Sequence, residues 1–193
     1  MNEKPWIAKK AVSFLESAIA PNSRVFEYGS GGSTLFFARR AQEIVSVEHD
    51  PVWFQRMEYA LLSRGYRNHT VRLIVPPRDD SKRAADPSDP ASYVSGRRGW
   101  RGFDFQKYAS AIDSYPDDYF DIVLVDGRAR PSCCRHALPK VRSGGHLILD
   151  DSHRTHYRYI QEILDSSGWT KRCHLGWRPS PSFTCIWQKR PCP

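Results

Sequence analysis

Arg24-Val-Phe-Glu-Tyr-Gly-Ser-Gly-Gly-Ser-Thr34, followed by Glu43-Ile-Val-Ser-Val-Glu-His-Asp50, is the stretch that decides how this chain folds. It reads as a strand ending in a carboxylate, a glycine turn, the start of a helix, and a second strand ending in acid. Gly29 and Gly31 allow a sharp turn and a close approach of backbone to a ligand. Glu48 follows about 20 residues on, the place of a ribose-binding acid in nucleotide-binding βαβ units. The expectation is a nucleoside pocket.

The loop's details bear on which nucleoside. A dinucleotide fingerprint begun at Gly29 needs a third glycine where Thr34 stands, and Glu27 beside a pyrophosphate would repel it. Beside the ammonium of an aminoacyl group the same carboxylate would attract. With Glu27-Tyr-Gly-Ser-Gly31 as first motif, Ser33 in place of a third glycine and Glu48 closing strand two, the sequence resembles the class I, Rossmann-like methyltransferases that use S-adenosylmethionine. Tyr119 to Asp126 is similar to the family's fourth strand and His146 to Asp151 to its fifth, joined by Ala137 to Gly145, so the resemblance spans nearly the whole chain.

What the resemblance implies is a three-layer α/β sandwich around a mostly parallel, seven-stranded sheet with a C-terminal antiparallel hairpin. Its cofactor would be S-adenosyl-L-methionine, leaving as S-adenosyl-L-homocysteine. Glu27, Gly29, Ser30, Gly31 and Ser33 would hold the methionine end and Glu48 the ribose, with His49, Asp50 and Asp126 nearby. Asp79 or Asp80 would take the adenine-contact position. The alternative that the glycine turn merely packs strand on helix leaves three acids at strand ends unexplained.

Residues 1–193 fit one domain, and the 40% hydrophobic content lies in the globular range. Residues 1–22 form an amphipathic N-terminal helix in this reading, with an apolar stripe through Ile7, Val12, Leu15 and Ile19 and Pro5 near its first turn. Charges at Lys9, Lys10 and Glu16 interrupt any signal-peptide run; no transmembrane segment or membrane partner is expected, and the expected location is cytoplasmic. Further on, 51–63 reads as a helix stopped by Gly65, 69–75 as a third strand, and 103–115 as a helix. Residues 76–102 carry no period and form an inserted loop beside the nucleoside mouth. Arg97, Arg98, Trp100 and Arg101 there would close over substrate as a lid, or the segment is a solvated excursion.

Chemistry belongs at the carboxyl ends of strands four and five. Asp126, Arg128, Asp151, His153 and Tyr157 are the catalytic candidates. Asp151 or His153 would serve as base, Arg128 and Arg130 would clamp an anion or neutralise local acids, and Tyr157 would reach back into the pocket. The bland reading of His153 and His156 is a pair of surface residues at a helix start. Some O-methyltransferases of this fold hold a divalent cation through an Asp after strand four and an Asp-Asn pair after strand five. Asp126 with Asp150-Asp151 looks similar, but the second member is Asp and arginines already supply positive charge, so metal dependence is not favoured.

Lys plus Arg is 29 against 21 acids, a net charge of +8. A basic face with Trp100 among arginines suits a nucleic-acid backbone, the main rival to a small substrate. The Val-Asp-Gly-Arg end of strand four lacks the Asn/Asp-Pro-Pro-aromatic and Pro-Cys forms of base-modifying enzymes. A small polar or anionic metabolite, with O-methylation, is therefore the preferred expectation; a non-catalytic cofactor-binding domain is the third reading. Oligomeric state is not legible. The five cysteines give neither a disulfide framework nor a C-x-x-C pattern. Cys133 and Cys134 read as buried thiols, while Cys173 and Cys185 would stand opposite each other in a hairpin folded about Pro179, both reduced.

Overall fold

The computed structural model describes residues 3–178 and 180–191; Pro179 and Cys192 lie outside them. Seven strands form one sheet, β1 (Arg24–Tyr28), β2 (Glu43–Glu48), β3 (His69–Leu73), β4 (Phe120–Val125), β5 (Val141–Leu149), β6 (Thr170–Arg178) and β7 (Ser180–Gln188), in the order β3-β2-β1-β4-β5-β7-β6. The first five pair in parallel, and β7 runs antiparallel to both β5 and β6. The strand order reverses between β1 and β4, where an open α/β sheet leaves a crevice at its carboxyl edge.

Alternation along each buried strand sends side chains to two helical layers. Val25, Ile122, Leu124, Ile148 and Ile186 pack with α1 (Lys9–Ala18), α2 (Gly32–Ala38) and α3 (Pro51–Leu62). Phe26, Tyr28, Val123, Val125, Leu147 and Trp187 pack on the other face with α4 (Gln106–Ala109), α5 (Arg130–Lys140) and α6 (Arg158–Ser166). Near-continuous apolar runs in β1, β2 and β4 are what strands covered on both sides require.

Several expected boundaries move. The N-terminal helix starts only at Lys9, with Pro5 and Ile7 buried ahead of it. The helix expected over 103–115 is one turn, α4, continued by a 3₁₀ turn over Ser110–Ser114. Asp50 caps α3, its Oδ1 accepting from the backbone of Val52 and Trp53 at 2.8 and 3.0 Å, with Pro51 at the first helical position. The 76–102 insertion has short 3₁₀ turns at Asp80–Ala84 and Arg98–Trp100 and is tied at its base by an Arg78–Phe103 bridge.

The expectation of reduced thiols is corrected for one pair. Cys173 and Cys185 are directly cross-strand in β6 and β7 and are joined by a disulfide, while Cys133 and Cys134 are free and buried. A cross-strand pair places the two sulfurs within bonding reach before any covalent step. Among the described residues, no helix is long and apolar enough to cross a membrane.

Candidate active site

A cavity of about 640 Å³ opens at the carboxyl ends of β1, β2 and β4. The size suits a nucleoside-bearing ligand. Its floor is the β1–α2 loop, Gly29 to Ser33, and its far wall is Asp126-Gly127-Arg128 after β4. Two glycines make that junction. A Cβ on Gly29, which has φ +90°, would meet Gly127 Cα at 2.9 Å, and one on Gly127 would meet the Tyr108 hydroxyl at 2.1 Å. The loops touch backbone to backbone, a contact that no other residue permits. Gly127 and Tyr108 stand outside the expected site residues; the glycine directly after strand four is the sequence signal that points to this junction.

Glu48 is the best-organised acid here. Its Oε2 accepts from the backbone and hydroxyl of Ser30 at 3.1 and 2.9 Å, and its Oε1 from the backbone of His49 and Asp50 at 2.7 and 2.9 Å. Burial alone would raise its pKa, but the His49 ring and these backbone donors outweigh it and hold the carboxyl below its usual range. His49 Nδ1 lies 2.7 Å from Glu48 Oε1, off the line a hydrogen bond needs. Ser30, Gly31, Ser33, Glu48, His49 and Asp50 all line the cavity, and the Trp53 indole steadies the loop by donating to the Ser30 carbonyl at 2.6 Å.

Glu27 departs from expectation. It is fully buried beneath the loop and outside the cavity wall, where Thr34 and Ser46 donate to its Oε1. The cause is strand alternation: Glu27 points to the same layer as Val25, toward α2, and pairs in register with Ser46. Burial pushes its carboxyl up to about 7 despite those hydroxyls. Its Oε2 is buried without a hydrogen-bond partner among the described residues. Thr34, in the place of a third glycine, clamps the loop, donating to Glu27 and accepting from the Gly31 N–H at 2.8 Å.

After β4 and β5 the candidates separate. Asp126 lines the cavity, its Oδ1 accepting from Arg130 at 2.8 Å, and Arg128 lines it too. Asp151 stands outside the wall, paired with Arg154 at 2.6 Å and lying 3.8 Å from Arg130. His153 is exposed, its Nδ1 3.3 Å from the Phe183 N–H, and Tyr157 is buried near Arg130 in an adjoining cleft. Neither Asp151 nor His153 is placed as a base for a ligand in this cavity. Asp79 and Asp80 turn to the loop itself, Asp79 capping a 3₁₀ turn and Asp80 pairing with Arg78 and Arg83.

The acids do not fit a divalent cation. Arg130 puts its guanidinium against the Asp126 side chain and the Asp150 carbonyl, while the Asp150 carboxylate accepts from Thr184 at 2.6 Å. A fixed positive charge therefore holds the place a cation would take. Among the described residues, no three His, Cys, Asp or Glu side chains group as metal ligands.

The insertion roofs the cavity. Arg97 and Trp100 line it, and Trp100 packs edge-on to His49 at 4.6 Å and against Phe103 and Phe105. Lys4 and Trp6 complete the rim. Arg98 and Arg101 are exposed and outside the wall.

No protein-family model matches the chain. No curated protein matches it either. Solved structures do. An rRNA methylase from Streptococcus thermophilus is 14% identical, over 92% of this chain and 93% of its own, with a TM-score of 0.59. A precorrin-6Y C5,15-methyltransferase from Geobacter metallireducens is 14% identical over 98% and 94%, with a TM-score of 0.62. The Streptococcus mutans protein SMU.1697c, in complex with SAH, is 12% identical over 91% and 94%, with a TM-score of 0.58. Strand order, hairpin and likenesses agree: the chain has the class I, Rossmann-like methyltransferase fold.

Proposed function

We propose that the chain binds S-adenosylmethionine in this cavity and transfers its methyl group to a small polar or anionic acceptor, with oxygen as the favoured acceptor atom. The observation that carries the reading is Glu48, a carboxylate kept ionised at the end of β2 in the wall of a cavity floored by a glycine loop. Such a group accepts hydrogen bonds from both hydroxyls of a ribose. Around the glycine loop the wall carries Glu48, Asp50 and Asp126, carboxylates that would repel a diphosphate and suit a cationic sulfonium and ammonium.

The bound cofactor supplies an electrophilic methyl group on a sulfonium, and the chain's task is to hold an acceptor in line with it. Trp100, packed on His49, Phe103 and Phe105, covers the cavity's roof. Asp126, braced by Arg130, orients a hydroxyl and takes the proton it loses as its oxygen gains the methyl group and the thioether leaves, and Arg128 draws an anion toward the same wall. Calorimetric titration with S-adenosylhomocysteine tests binding, and its release from S-adenosylmethionine during incubation with candidate acceptors tests transfer. Binding without release across a broad acceptor set would favour the non-catalytic reading. Chelator is expected to leave transfer unchanged, because Arg130 already neutralises the acids.

A nucleic-acid acceptor is the second reading, favoured by the net charge of +8 and by Trp6, 81% exposed beside Lys4 at the cavity rim. Filter binding with RNA across a salt series separates the two: micromolar, salt-sensitive retention supports nucleic acid, and no retention supports the metabolite.

A further inference from the structure

Past Gly127 the cavity continues into a narrow cleft between the insertion and the β4–α5 loop, with Arg97, Gly127 and Arg128 belonging to both. The insertion is pressed closely here: a Cβ on Gly96 would lie 3.0 Å from His156 Nε2. Four cationic side chains and His156 line the cleft, and they differ in how they are satisfied. Arg130 is saturated by Asp126, the Asp150 carbonyl and the Gly127 carbonyl, and Arg154 pairs with Asp151. His156 is held below its ordinary pKa by burial and then by Arg154 and Arg130, with Asp86 opposing, so it is neutral at neutral pH.

Arg97 and Arg128 are different. Among the described residues, no carboxylate lies within ion-pair distance of either. Arg128 is half-buried, its Nε is buried without a partner, and its Nη1 reaches only the Gly127 carbonyl at 3.4 Å. Burial, then the charges of Arg97 and Arg130, pull its guanidinium below the ordinary value. Two like charges facing one cleft, with one donor desolvated and unpaired, form an arrangement that an oxyanion relieves. Guanidinium groups bind carboxylates and phosphates through paired N–H donors.

We infer that Arg97, carried by the insertion, and Arg128, carried by the β4–α5 loop, form a clamp for an oxyanion on the methyl acceptor, either a carboxylate or a phosphate monoester. Closing the insertion over an anionic acceptor would bring the two arginines onto one group and seal the cavity. The acceptor's identity as a methyl acceptor rests on the proposed function; the clamp itself does not.

The test uses the full chain, alone and saturated with S-adenosylhomocysteine, titrated calorimetrically with inorganic phosphate and with succinate. At least one probe should bind in both states, and Arg97→Gln and Arg128→Gln should each weaken it about ten-fold or more while changing the S-adenosylhomocysteine affinity less than about three-fold. Preference for phosphate or for succinate tells which oxyanion the acceptor carries. No binding of either probe would overturn the clamp. So would loss of S-adenosylhomocysteine affinity with probe binding intact, since the arginines would then serve the cofactor's own carboxylate. Tighter, arginine-dependent binding of a single-stranded oligoribonucleotide than of phosphate would overturn the small-molecule acceptor. Arginine-dependent probe binding to a chain that takes no S-adenosylhomocysteine would leave the clamp standing and sink the cofactor reading.

Discussion

At one end of the cavity Glu48 is surrounded by donors from Ser30, His49 and Asp50, so its position and charge are fixed before any ligand arrives. At the other end Arg128 has an unpartnered Nε and faces Arg97 across a cleft roofed by the insertion. The first end is preorganised and the second awaits a partner. A ligand common to every reaction cycle gains most from a rigid site, whereas an acceptor that must enter and leave gains from a site completed on binding.

The joint between the two ends is the point most sensitive to substitution. Gly127→Ala puts a methyl group into the Tyr108 hydroxyl and beside the Gly29 backbone, and should cost about 3 kcal/mol of stability in a denaturant titration, at the top of the usual overpacking range. An unchanged midpoint would show that the loops do not touch. Next in size, Glu48→Ala should weaken S-adenosylhomocysteine by about 2 kcal/mol, roughly 30-fold, through two lost hydrogen bonds to a charged acceptor. Calorimetry that finds the dissociation constant unmoved would remove the ribose assignment.

Glu27 makes stability depend on pH. Its carboxyl rises from an ordinary value near 4.5 to about 7 in the fold, so between those values the native state holds the extra proton. Its contribution to stability is full below pH 4.5 and is lost as pH climbs to about 7, by roughly 1 kcal/mol per unit. Glu27→Gln cannot lose that proton, so its stability relative to the parent chain should improve over this window and level off above it. A difference flat with pH would mean that Glu27 is ionised throughout. The smallest effect belongs to His153→Ala: an exposed residue outside the cavity should leave stability within about 0.5 kcal/mol and transfer nearly unchanged. A large loss of transfer with cofactor affinity intact would restore it as the base.

The rigid end was legible in the sequence because its determinants are local. Strand, glycine turn, helix start and terminal acid lie within 24–50, and Ser30, Glu48, His49 and Asp50 from that stretch line the cavity. Glu27 lies beneath the wall and not in it, because alternation from Val25 turns it toward α2, a face that residue type alone does not give. The open end was less legible because it depends on distant pairs. Nothing near Asp151 in sequence announces that Arg130, 21 residues earlier, will approach it, nor does 76–102 announce that Trp100 will settle on His49. The cross-strand placement of Cys173 and Cys185 followed from hairpin symmetry, whereas their oxidation state was argued from compartment, which geometry does not follow.

On the proposed function, this cavity takes an adenosyl amino acid and not a dinucleotide. Parallel calorimetric titrations with S-adenosylhomocysteine and NAD test it most directly. Saturable one-to-one binding of S-adenosylhomocysteine, lost in Glu48→Ala, with no heat from NAD is the predicted result; saturable NAD binding with none for S-adenosylhomocysteine would contradict it.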